Sequence, residues 1–215
     1  MQNIRIWFEK RGRAKYISHL DLMRAMTRAV RRAQLPLWYT EGFNPHPYLA
    51  FPLPLPLGQE GLREAMDLRL IDGMPLDEIR KRLNEVLPEG IQVLSVAEPW
   101  SKAGEIKAAV YRIAIACDAP EAWIEQAEAL LKQGNLTAKK MGKKGHRKVE
   151  KEIALAPLIM SYGLRAQDGI AILECTLAAG SEMNLNPALL LGALDAGSAA
   201  ITRVKLLRGD GAAWE

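Results

Sequence analysis

The chain has 215 residues, 29 Lys or Arg against 25 Asp or Glu, a formal charge of +4 and 49% apolar residues, a balance that excludes a disordered tail, a collagen-like fibre and a disulfide scaffold. Cys117 and Cys175 are the only cysteines, which excludes a four-cysteine zinc site or a cluster with three or four cysteine ligands and fits a cytosolic setting. No apolar stretch nears the roughly 18 residues of a membrane span, so no membrane association is expected.

Ile4, Ile6 and Phe8 alternate with Arg5, Trp7 and Glu9, the period of a strand. Ser18, with Asp21 three residues on, is placed to cap a helix from His19 to about Ala33, which Pro36 forbids from continuing. On that helix Leu22, Met23, Met26, Ala29, Val30 and Ala33 share the core face, while Arg24, Arg28, Arg31 and Arg32 share the opposite one. Glu41-Gly42-Phe43-Asn44-Pro45-His46-Pro47 is turn chemistry. Residues 48–57 alternate prolines with large apolar residues, as an extended edge strand or an apolar loop. A strand over Ala65–Ile71, a helix over Pro75–Leu87 with Leu76, Ile79, Leu83 and Val86 inward, and a strand over Ile91–Val96 follow.

The order β-α-β-β-α-β over residues 1–98 predicts a ferredoxin-like domain of the α+β class. Residues 99–107 read as a linker, and 108–215 as a second domain of the same plan. Its predicted elements are a strand (Val110–Cys117), a helix (Pro120–Leu131, with Ala122, Trp123, Ala127 and Leu130 inward) and a hairpin of Ile159–Arg165 with Ile170–Leu177 around Gln167-Asp168-Gly169. A helix capped by Asn186 and a closing strand, Ile201–Leu207, complete it. Inserted is a basic two-stranded arm at residues 136–153, with its tip at Gly142–Gly145.

The net charge hides two basic clusters. Residues 1–35 carry nine basic and two acidic residues, and residues 139–151 carry seven basic and one acidic, leaving −9 for the rest. Cations gathered on an acidic body point to a located anionic partner, and nucleic acid is the commonest. The candidate contacts are Arg13, Lys15, Arg24, Arg28, Arg31 and Arg32 in the first cluster and Lys139, Lys140, Lys143, Lys144, Arg147 and Lys148 in the arm. Gly42, Phe43, Asn44 and His46 form a rigid polar loop suited to a binding site or to covering the sheet edge. His19, at a helix N-terminus that keeps imidazole neutral, is the one candidate general base, against the alternative of a partly buried histidine. No phosphate loop, HExxH or GxSxG occurs, and the three histidines and two cysteines lack metal spacing, so neither a metal nor a cofactor is expected in this chain.

The stretch from Arg11 to Gly58 carries KYISHLDL, the RRA end of the arginine helix and the GFNPHP loop. It resembles the radical-SAM-linked protein family, a bacterial domain of unknown function fused to, or encoded beside, cobalamin-binding radical SAM proteins. The resemblance implies a radical SAM partner and no activity of its own. This chain lacks the CxxxCxxC motif that would make it that enzyme. The element order also resembles CRISPR repeat-processing endoribonucleases, which often place a histidine on their first helix. The expectation is therefore a cytosolic RNA-binding accessory protein, more a binder than an enzyme, that works with a radical SAM enzyme in RNA modification or maturation. The alternatives are a metal-independent endoribonuclease using His19 and a protein–protein adaptor.

Overall fold

Three apolar side chains on one face of a strand need cover, and two amphipathic helices supply it. The computed structural model describes the backbone of residues 1–144 and 147–215, and the side chains of these outside 140–150. It is a mixed α+β structure with four α-helices among the described residues. Two compact units divide the chain. One is Met1–Glu105 with Arg203–Lys205 and Ala213–Glu215; the other is Ile106–Thr202 with Leu206–Ala212. The C-terminal region, expected to stay within 108–215, thus returns twice to the first unit.

In the first unit, β1 (Gln2–Lys10) is followed by a single 3-10 turn (Gly12–Tyr16), α1 (His19–Arg32), β2 (Leu49–Ala50), β3 (Glu60–Leu70), α2 (Leu76–Val86) and β4 (Ile91–Ala97). All pairings are antiparallel, in the order β4-β1-β3-β2. Ile4, Ile6 and Phe8 of β1 and Met66, Leu68 and Leu70 of β3 bury one sheet face. Against them pack Leu22, Met26 and Val30 of α1 and Ile79 and Leu83 of α2. The α1 stripe has the predicted phase, and Ser18 caps it: its Oγ accepts the Asp21 N–H at 3.2 Å and its hydroxyl donates to the Asp21 carboxylate at 2.7 Å. Residues 48–57 resolve into a loop with only two residues of strand, since Pro52, Pro54 and Pro56 have no N–H to give a ladder. Gly90 closes the turn before β4 at φ +83°, where a Cβ would stand 2.6 Å from the Arg11 carbonyl oxygen.

The alternation of β1 misleads on its other face. Arg5 and Trp7, opposite the apolar set, are also buried, at 1% and 3% exposed. The cause is Trp214, whose ring meets Trp7 edge-on at 5.6 Å and lies 3.9 Å from the Arg5 guanidinium. Trp214 Nε1 donates to the Lys102 carbonyl at 3.0 Å, and Ser101 is buried beneath Arg5. Part of the expected linker 99–107 is therefore core of the first unit.

The second unit contains β5 (Ile106–Ile115), α3 (Pro120–Gln133), β6 (Thr137–Lys144), β7 (Arg147–Ala154), β8 (Ile159–Gln167), β9 (Ile170–Ala178), α4 (Pro187–Ala193) and β10 (Ala199–Arg208). Its sheet runs β10-β5-β9-β8, and β6 and β7 pair only with each other. Asp168 and Gly169, at φ +52° and +75°, form the two-residue hairpin turn that Asp-Gly favours. On α3, Ala127 is buried, and Trp123 and Leu130 are half-buried. Ala122, expected inward, is exposed, because five positions place it about 140° around the helix from Ala127.

Candidate nucleic-acid interface

The buried stripe of α1 turns its arginines outward. Arg24, Arg28, Arg31 and Arg32 are all exposed, but their surroundings differ. Arg24 is paired with Asp21 at 3.0 Å. Hydrogen bonds from the Ser18 hydroxyl and then from Arg24 hold the Asp21 carboxyl below the usual range. Arg28, Arg31 and Arg32 line one cleft with Ala25 and Pro88. Arg32 donates to the Val86 carbonyl, and the Arg31 guanidinium lies 5.9 Å from the Tyr39 ring. None of the three has a carboxylate partner among the described residues, and guanidinium geometry matches phosphate.

Arg13 and Lys15 sit on the 3-10 turn before α1, and Arg13 is exposed. The Lys15 ammonium is 5.3 Å from the Tyr16 ring, which is itself 69% exposed. His19 is half-buried, its ring edge-on to Phe51 at 5.3 Å, with Nδ1 sealed from solvent and unpartnered. That placement supports packing and withholds Nδ1 from any substrate.

The GFNPHP loop is tied closed. The Thr40 N–H donates to the His46 carbonyl at 2.9 Å, and the His46 N–H donates to Thr40 Oγ1 at 3.3 Å. His46 Nδ1 stands 3.0 Å from the Asn44 carbonyl oxygen. Gly42 takes φ +130°, open to glycine, while Asn44 and His46 are exposed and Phe43 projects wholly into solvent at the tip.

In the arm, the β6–β7 register sets Lys140 opposite Lys151, Lys143 opposite Lys148 and Lys144 opposite Arg147. Like charges directly opposite one another weaken a ladder. Lys139, opposite Glu152, is exposed. The side chains of Lys140, Lys143, Lys144, Arg147 and Lys148, with the tip residue Gly145, lie outside the described residues.

Two groups escaped the sequence. Lys10, Glu64 and Arg203 form a buried charged cluster, each 3% exposed or less. Arg203 Nε donates to Glu64 at 2.9 Å, and Lys10 donates to the Ile17 carbonyl at 2.9 Å. Burial lowers the Lys10 pKa, with Glu64 opposing and Arg203 adding to the shift. Residues 64 and 203 are too far apart in sequence to have been paired by any periodicity. The second group is Arg69, whose guanidinium lies 4.8 Å from the Trp38 ring and 5.2 Å from Tyr48. Its signal was legible only as aromatics on both sides of the GFNPHP turn. Among the described residues no cluster of His, Cys, Asp and Glu could hold a metal ion, and no helix is long and apolar enough to cross a membrane.

A family model described as an uncharacterized protein conserved in bacteria (DUF2344) matches residues 3–187. No curated protein matches the chain. Among solved structures, a chain of a Cbf5-Nop10-Gar1 complex is similar at 9% identity and a TM-score of 0.48. The match covers 94% of this chain and 48% of that one, so this chain spans about half its length. Neither function nor partner follows from a likeness at that level.

Proposed function

We propose that this chain, which belongs to the uncharacterized bacterial family DUF2344, is an RNA-binding accessory protein that presents its RNA to a radical SAM enzyme. The observation that carries the RNA half is the cleft lined by Arg28, Arg31 and Arg32, three cations with no acid partner among the described residues. Guanidinium groups that share one exposed helix face without a carboxylate suit the phosphates of a nucleic-acid chain. The arm, with seven basic residues in 139–151 by sequence, adds a second positive element. The radical SAM partner rests on the resemblance carried by residues 11–58. Strand order β4-β1-β3-β2 with two helices, and β10-β5-β9-β8 with two more, supports reading both units as ferredoxin-like. The sealed Nδ1 of His19 favours a binder over an endoribonuclease.

The test is fluorescence anisotropy with a labelled single-stranded RNA. Arg28→Glu combined with Arg31→Glu is expected to weaken binding at least tenfold, with a melting temperature within about 2 °C of wild type, because both side chains are exposed. Unchanged affinity at unchanged stability removes the cleft from the interface.

A further inference from the structure

The face of the first unit's sheet that turns away from α1 and α2 carries a second site. Since Ile4 and Leu68 point toward the helices, Asn3, Arg5, Asp67 and Arg69 point the other way. The register pairs Asn3 with Arg69 and Arg5 with Asp67. These four residues floor a cleft of about 690 Å³, walled by Tyr48 and Trp100. That volume lies within the range of small-ligand sites, roughly 300–1,000 Å³.

The floor is built in two parts. Arg5 is buried and fully engaged. It donates to both Asp67 oxygens, at 2.7 and 2.9 Å, to Ser101 Oγ at 2.8 Å and to the Ser101 carbonyl at 3.0 Å. Its work is to fix the Asp67 carboxylate, which keeps 23% of its side chain exposed and has lone pairs left to accept from a ligand. Arg69 spends only Nε, on Asn3 Oδ1 at 2.9 Å. Its terminal nitrogens meet no acid among the described residues, and its guanidinium lies against both Trp38 and Tyr48. Trp100 presents an indole 62% exposed at the rim.

An oriented acceptor, a held cation and an exposed aromatic in one cleft match the three parts of a nucleotide. We infer that this cleft takes one unpaired nucleobase of RNA, with its ring on Trp100, its N–H donors on Asp67 and its phosphate on Arg69. Stacking supplies affinity for any base. The carboxylate adds a preference: guanine, whose pairing edge offers two adjacent N–H donors, fits best. Uracil, with one donor flanked by carbonyl oxygens, fits worst. The inference deepens the RNA reading and rests on it for the source of the base.

Two measurements separate this site from the basic surfaces. The first titrates the intact protein with 5′-GMP and 5′-UMP, which carry too little charge to need the arginine cleft or the arm. GMP binding tighter than UMP binding is expected, with Trp100→Ala weakening GMP roughly five- to 150-fold, the range for one lost stacking contact. The second measures a five-nucleotide RNA with a central G or U on wild type, Trp100→Ala, Asp67→Asn and the Arg28→Glu/Arg31→Glu pair. Asp67→Asn is expected to erase the G preference. Should Asp67→Asn unfold, Trp100→Ala at the exposed rim, with its melting temperature read alongside, carries the test. GMP binding without RNA binding upholds the cleft and sinks the RNA reading. RNA binding that depends on Arg28 and Arg31, but ignores Trp100 and the central base, overturns the cleft and leaves that reading standing.

Discussion

Glu64 stands between two buried cations, and its removal is the most damaging single change the first unit offers. Glu64→Gln leaves Lys10 and Arg203 buried without their anion. The expected loss is about 3–5 kcal/mol, the usual size for breaking a buried pair. Urea unfolding reads it as a lower midpoint at unchanged slope; a loss under about 1 kcal/mol contradicts the cluster. Lys10 adds a pH signature. Its pKa is lowered in the fold, by burial first, from the ordinary 10.5 of the unfolded chain. Between the two values the unfolded chain holds a proton the native state has released, so stability from this group rises with pH there. Lys10→Met cannot titrate. Wild type should therefore gain stability relative to Lys10→Met as pH rises toward 10.5, and a constant difference up to that pH would show Lys10 to be unperturbed. The alternation of the strand sets Lys10 on the face of Ile4, Ile6 and Phe8, but nothing in the sequence shows what partners it there. The burial comes from β10, about 190 residues on, whose Arg203 returns to the first unit.

At the scale of elements, local chemistry was readable and tertiary cover was not. The α1 helix, its Ser18 cap and its arginine face follow from spacing alone, because capping and amphipathic phase are decided within a few residues. The hairpin at Asp168-Gly169 follows likewise from its turn residues. The second face of β1 and the burial of Ser101 did not, because Trp214, which bonds the Lys102 carbonyl, reaches them from the far end of the chain. The arm was legible as two strands, but β6 runs on through Gly142–Lys144, which read as the tip, and its register makes the arm testable. Replacing residues 141–150 by an Asn-Gly turn between Lys140 and Lys151 removes two opposed cation pairs, and β6 and β7 pair with no other strand. The thermal midpoint is expected to hold within about 2 °C while RNA affinity falls. A collapse of the midpoint would show that the arm carries structure; an unchanged affinity would show that it carries no RNA.

For the whole molecule, a charge of +4 understates what its surface does, because the cations are gathered and the acids are spread. The arginine cleft in the first unit and the arm in the second are separate positive elements, each on a scaffold of antiparallel strands and helices. RNA gripped by such elements must release counterions. Binding of a single-stranded RNA to the intact protein, measured from about 50 to 300 mM salt, tests this most directly. With at least three phosphate contacts, at about 0.7 each for single strands, the account predicts that log K falls against log salt with a slope of about −2 or steeper. A slope near zero, or no binding at the lowest salt, would contradict it.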